Sequence, residues 1–289
     1  METQKMRRIS VTREFGLLLR QGWRVLLGNK LNLTISLLFP FMAAAVAVWV
    51  AGKDMYNNFE STKSACFILV CAAIWGGLFN SIQVVVKERK NVKRDYVSGA
   101  LRIGCYTASR ALIQMMLCLF QSLVLSVSFY GVKWAYENDM PAAGILMDAT
   151  IVEYWISMFL VVMAADALGM MVSCFVKNEQ LASQLSPYIL IVQLLFSGVL
   201  FPTEGAAEAV SAAMLSRWGM EALGSISDLN ELPLRIQEQF PMVTSEASDS
   251  FLHTGEHLIT VWLILLGFVI VPLIIGNFAL HGVKKDSRG

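Results

Sequence analysis

Long apolar runs alternate with short charged stretches along most of this chain. A bilayer core takes about 20 apolar residues per helix, and six runs are of that order. They lie at 33–50, 64–86, 109–130, 151–176, 181–201 and 257–280. The pattern predicts an all-α polytopic membrane protein of six transmembrane helices. Ahead of the first run, VTREFGLLLRQGWRVLLGNK has helical period. Val11, Phe15, Leu18, Leu19, Gly22, Trp23 and Leu26 share one face, and Arg13, Arg20 and Arg24 share the opposite one. A helix of this kind lies in the membrane interface or packs on a soluble partner, and the two can coexist. Two polar stretches are longer than turns, 87–108 and 202–256. The second opens with EGAAEAVSAAMLSRWGMEALGSI, which reads as helical. Its small residues suit a helix dipping back into the outer leaflet. The following DLNELPLRIQEQFPMVTSEASDS reads as a polar loop.

Composition agrees with this class. Of 289 residues, 56% are hydrophobic and 16% charged, against about 25% charged in a soluble domain. The net charge of +1 gives no reason to expect a nucleic-acid partner. Its distribution is more telling. Six spans put both termini on one side, together with the loop Lys87–Arg110 and the turn near Lys177. That side holds 18 of the 23 Lys and Arg residues. The other holds Lys53, Lys63, Lys133, Arg217 and Arg235, plus nine Asp or Glu between Pro202 and Glu256. Basic loops stay in the cytoplasm, so segment 1–30, loop 87–108 and tail 283–289 are expected there. Residues 31–282 form the membrane domain, and 202–256 is external.

Little in the chain suggests catalysis. There is no GxxxxGK[ST] loop to cradle phosphate, no GxSxG, and no GxGxxG between strand and helix. The cysteines Cys66, Cys71, Cys105, Cys118 and Cys174 lie in or beside apolar runs and form no CxxC pair, so neither disulfides nor a structural zinc site is expected. HTGEH, His253 to His257, has the H-x-x-E-H spacing of an inverted zinc peptidase site. The only acid after it is Asp286, across the membrane, so a polar lead-in to the last span fits better. Asn32 begins an N-x-T sequon at the cytoplasmic mouth of the first span, where it would not be modified.

Several polar residues fall inside spans. Asp166 costs about 2.5–3.5 kcal/mol to insert and should face protein or water. It is either a proton or substrate site, or a hydrogen-bonding link between helices. Gln83, Gln114, Gln121 and Gln193 suit amide bridges between helices. Ala164, Ala165 and Gly169 allow close packing.

The stretch FNSIQVVVKERKNVKRDYVSGALRIGCYTASRALIQ, Phe79 to Gln114, resembles the second span and first cytoplasmic loop of ATP-binding cassette exporters. It is most similar to their G subfamily, the white and pleiotropic-drug-resistance kind. The matching positions are Glu88, Arg89, Lys90, Asp95, Tyr96, Ser98, Gly99 and Tyr106. FSGVLFP, Phe196 to Pro202, and LSRWGMEAL, Leu215 to Leu223, follow in the same order. The resemblance implies a permease with an N-terminal connecting helix, a coupling helix within 87–108 and a re-entrant external segment. It implies a homo- or heterodimer around a pathway lined by spans two and five. Coupling to an ATPase would fall on Glu88, Arg89, Asp95, Tyr96, Ser98, Gly99 and Arg102. Glu88 and Arg89 would join a charged cluster with the connecting helix, through Arg20 or Arg24. A substrate cavity would include Leu69, Ala73, Gly76, Asn80, Ile191, Leu194 and Leu195, and an apolar plug Val199 and Leu200. ATP and magnesium would belong to a partner ATPase, separate or fused, leaving no cofactor and no catalytic residue on this chain. The setting implied is a bacterial plasma membrane, and the cargo amphipathic or lipid-like. Two other functions fit the topology: a membrane sensor or anchor, and a proton-coupled carrier using Asp166.

Overall fold

A computed structural model of the chain describes residues 9–135, 144–201, 205–233 and 249–285. No strand occurs among them. Ten α-helices can be numbered along these segments: α1 Val11–Gly28, α2 Lys30–Ala51, α3 Phe59–Ser81, α4 Val84–Val97, α5 Ile103–Ala135, α6 Thr150–Phe175, α7 Glu179–Leu195, α8 Ala206–Ala212, α9 Leu215–Ile226 and α10 Gly255–His281. The polar part of the external loop at 234–248, Pro202 and the tail at 286–289 lie outside the described residues.

Five segments are long and apolar enough to cross a membrane: Leu33–Ala51, Phe59–Val97, Ile103–Gly131, Thr150–Phe175 and Gly255–His281. The fifth predicted span, 181–201, is shorter than expected. Helix α7 has 17 residues, about 26 Å at 1.5 Å per residue, and stops at Leu195. Gly198 takes φ +75°, a left-handed conformation that suits glycine, so FSGVLF turns instead of continuing the helix. The chain then returns through α8 and α9.

Helix α9 is buried along most of its length, against α3, α6 and α10. A Cβ at Gly219 would meet Val70 at 2.9 Å and Val161 at 3.2 Å, which places α9 beside the middle of α6. Its start is tied to α7. The Ser216 N–H donates to Gln193 Oε1 at 3.1 Å, and the Ser216 hydroxyl donates to the Gln193 carbonyl. The segment expected to be helical is so, in two pieces, α8 and α9.

Helices α3 and α6 cross at small residues. A Cβ on Gly77 would lie 2.2 Å from the Val162 carbonyl oxygen and 2.9 Å from the Ala165 Cβ. A Cβ on Gly169 would lie 2.4 Å from Ser81 Oγ. The Ser81 hydroxyl uses this closeness to donate to the Asp166 main-chain oxygen at 2.6 Å. Asp166 is wholly buried and also accepts from Gln114 Nε2 of α5 at 3.2 Å on Oδ1. All four span glutamines bridge helices, the other two being Gln83 to Ser183 and Gln121 to Asn80.

At the acidic end of the bundle, the Glu153 carboxylate accepts the N–H groups of Ile145, Leu146 and Met147 at 2.5–2.9 Å. That gathers the chain entering α6. The hydroxyls of Tyr56, Tyr154 and Ser227 form a buried chain joining the α2–α3 connection to α6 and the turn after α9. Large apolar side chains such as Phe41, Trp49, Leu263 and Phe278 face outward on α2 and α10, where lipid satisfies them.

Filling the α3–α6 crossing should be destructive. Gly77→Val or Gly169→Val is expected to cost about 1–3 kcal/mol through overpacking, read as a lower melting temperature of the purified protein in detergent. Gly267→Ala, whose added Cβ meets nothing within 4 Å, should leave that temperature unchanged.

Candidate functional site

The basic end of the bundle is organised by the join between α3 and α4. The helix breaks at Ile82 and Gln83, and no side chain of its own caps the start of α4. Ser173 of α6 supplies the missing acceptor. Its hydroxyl oxygen receives the N–H groups of Val85 at 3.1 Å and Val86 at 3.0 Å. In return, Arg89 of α4 donates from Nη1 to the Cys174 carbonyl at 2.7 Å and to the Val176 carbonyl at 3.3 Å. A cation on the last carbonyls of a helix satisfies them and complements the helix dipole. Each helix thus caps the other.

Around this join lie two ion pairs. Glu88 meets Arg110 of α5 at 2.8 Å and accepts from the Tyr106 hydroxyl at 2.7 Å. Glu14 of α1 meets Arg102 at 2.9 Å and also accepts the Arg102 main-chain N–H at 2.6 Å. Helix α1 is therefore held by Glu14. Arg20 and Arg24, expected in a charged cluster with Glu88 and Arg89, are exposed, and Glu88 pairs with Arg110 instead. Gly22 lets α1 sit directly over α5, since a Cβ there would lie 2.1 Å from Arg110 Nη1.

Helix α4 ends in a tight turn. Asp95 pairs with Arg94 at 2.9 Å, and its carbonyl receives the N–H groups of Ala100 and Leu101. The Ser98 hydroxyl donates to the same carbonyl at 3.0 Å. Gly99 turns the chain at φ +78°. Tyr96 packs edge-on to His281 of α10, centroids 6.0 Å apart. The residues expected to couple thus divide by role. Glu88, Arg89 and Tyr96 fasten α4 to α5, α6 and α10, Arg102 ties the segment after α4 to α1, and Asp95, Ser98 and Gly99 shape the tip. The outward face consists of Lys90, Asn91, Arg94, Val97 and Ala100 with Ser98. Val97 is 61% exposed. An acid on the otherwise apolar face of α1 is the sequence signal that marks Glu14. Ser173 carries no such signal.

A groove of about 580 Å³ lies just beyond the join, between α1, α2, α3 and α5. Its walls are mostly apolar, among them Phe39, Trp75, Phe79 and Leu117. Trp75 stacks on Phe79 with centroids 5.8 Å apart. Of the expected cavity residues, Gly76 and Asn80 line this groove. Leu69 and Ala73 do not. They share a face of α3 with Gly76 and Asn80 but lie earlier along the helix, inside the core, at 1% and 2% exposed. Ile191 and Leu195 are exposed on α7 and Leu194 is half-buried beside them; none reaches the groove. Val199 is half-buried against the core and Leu200 is exposed. In HTGEH the two histidines engage main-chain carbonyls, His253 Nδ1 with Ser225 at 2.6 Å and His257 Nε2 with Ser250 at 3.3 Å. Thr254 caps α10.

The family model for the ABC-2 type transporter membrane domain matches residues 13–226, from the first turn of α1 to the end of α9. The chain belongs to the ABC-2 type transporter family. It is an integral membrane permease domain of the ATP-binding cassette class. It is also similar to an ABC transporter ATP-binding/permease protein of Mycobacterium tuberculosis, 22% identical over 232 residues, covering 77% of this chain and 26% of that protein. The chain thus spans about a quarter of the relative's length. In this ABC-2 domain, the mutual capping of α4 and α6 is the feature that fixes the basic end.

Ser173→Ala should expose it. The substitution removes the acceptor of two buried N–H groups, at about 1–3 kcal/mol for an unsatisfied donor. Amide hydrogen exchange in 84–89 should quicken at least about tenfold, with the middle of α6 unaffected. Unchanged exchange would mean that α4 is held by its other contacts alone.

Proposed function

We propose that this chain is the permease subunit of an exporter of the G-subfamily kind. Two protomers, identical or related, flank a pathway, and a partner ATPase binds and hydrolyses ATP with magnesium. The outward tip of α4 carries this reading. It is a charged, exposed helix end with a protruding valine, fastened by Arg89 to α6, by Glu88 to α5 and by Tyr96 to α10. A partner pressing on that tip would move three membrane helices at once. The same geometry suits Lys90, Arg94 and Val97 as the docking contact, with Asp95, Ser98 and Gly99 holding its shape. Arg102 and Glu14 would carry motion into the connecting helix.

The basic residues of α1, α4 and the α6–α7 turn support a cytoplasmic position for this end by the positive-inside rule, and with it for both termini. The exposed apolar face of α7, including Tyr188, Ile191 and Leu195, suits the meeting of two protomers, so the pathway would run between the α7 helices and past the open side of α3. Val199 and Leu200, at the turn after α7, would close it on the outer side. An apolar pathway favours an amphipathic or lipid-like cargo. The proposed setting is a bacterial plasma membrane, in keeping with the bacterial relative.

Mass spectrometry of the native complex, isolated through a tag at Gly289, should show two permease chains with two ATPase copies. A stable assembly without ATPase would end the exporter reading. In the intact complex, Val97→Glu should leave insertion unchanged and lower substrate-stimulated ATP hydrolysis at least about tenfold, the loss of one interface anchor. Replacing Val199 and Leu200 together by alanine should raise basal hydrolysis or substrate leak. Unchanged values of both would remove the plug role.

A further inference from the structure

The groove between α1, α2, α3 and α5 has a polar order of its own. Three charged side chains line its basic end: Lys87, Glu88 and Arg110. Glu88 and Arg110 neutralise each other at 2.8 Å. Lys87 is exposed and pairs with neither, so this end keeps a net positive charge. Arg20 and Arg24 lie on an adjoining strip of α1 that shares Val25 with the groove.

Farther in lies an amide cluster. Asn80 Nδ2 donates to Gln121 Oε1 at 2.5 Å, Gln121 Nε2 donates to Asn80 Oδ1 at 3.3 Å and to the Ser36 carbonyl at 3.1 Å, and the Ser36 hydroxyl donates to Asn80 Oδ1 at 3.2 Å. These bonds use one hydrogen of the Asn80 amide. The second is left as a donor on a residue that lines the groove. Asn80 lies in the last turn of α3 and Lys87 in the first turn of α4, on either side of the break. The remaining wall is aromatic and aliphatic: Phe39, Trp75, Phe79 and Leu117. From the basic end inward, the groove therefore offers a cation, then a hydrogen-bond donor, then an apolar trough.

We infer that this groove binds an anionic phospholipid drawn from the leaflet at the basic end of the bundle. The headgroup phosphate sits by Lys87 with Arg24 nearby, the ester region accepts from Asn80, and an acyl chain lies along Trp75 and Phe79. The charge complementarity selects the class, because a zwitterionic lipid gains little from an unpaired cation. The leaflet is cytoplasmic if the topology proposed above holds; the binding itself depends neither on that topology nor on an ATPase.

The test is native mass spectrometry of the full-length chain released from bilayers of equal dioleoyl phosphatidylglycerol and dioleoyl phosphatidylcholine. Wild type should retain phosphatidylglycerol over phosphatidylcholine by about fivefold, the effect of one cation at a membrane surface. Lys87→Gln should abolish the preference, whereas Lys53→Gln at the opposite end should keep it. Gly76→Leu is the decisive variant. A Cβ at Gly76 meets nothing within 4 Å, so the longer side chain fills the groove without disturbing the protein, and retention of both lipids should fall. Equal retention of the two lipids by wild type, or a preference that survives Gly76→Leu or Lys87→Gln, overturns the site. Failure here with an ATPase still in the native complex would leave the exporter reading standing. The reverse pair of results would remove the exporter and keep the lipid site.

Discussion

A polypeptide inside a bilayer has no water to meet its backbone polar groups, so each break in a helix must be closed by another part of the protein. The break between α3 and α4 is the critical one here. It frees N–H groups at the start of α4 just where α6 ends and frees carbonyls. Ser173 and Arg89 close both ends against each other. This exchange sets the position of α4 relative to α6. The close glycine crossing of α6 with α3 then carries that position into the bundle.

The second constraint is the strap formed by α1. Glu14 grips Arg102, and Gly22 lies against Arg110. Both arginines belong to the approach and first turns of α5. That helix continues unbroken for 33 residues, about 50 Å, and carries Gln121 at the amide cluster. One rigid rod therefore joins the strap, the charged join and the wall of the groove. A displacement at the tip of α4 reaches the groove through α5 as well as through α3.

Much of this was legible from residues alone. The apolar runs located five long helices, and the glutamines within them do bridge neighbours. The small residues Ala165 and Gly169 mark the real crossing. The stretch from Leu215 to Ile226 is helical and packed inward. Glu14 was readable in retrospect, as an acid on an apolar face, but its partner Arg102 lies in a different element. The stop of α7 at Leu195 was hidden because FSGVLF is as apolar as a span. Only the conformation of Gly198 shows that it turns.

The sequence by itself determined the class of the protein, the number and order of its apolar segments, and the asymmetry of charge between its two ends. Hydrophobicity and charge act segment by segment, and a bilayer responds to them without reference to the rest of the fold. Only the tertiary structure decided which face of each helix looks inward. In water that face is marked by its oiliness. In a membrane the lipid side is equally apolar, so Leu69 and Ala73 could not be told from groove residues by type. All four of Leu69, Ala73, Gly76 and Asn80 share one face of α3; the bundle closes over the first two, and only nearer the break at Ile82 does that face open, at Gly76 and Asn80, to the groove.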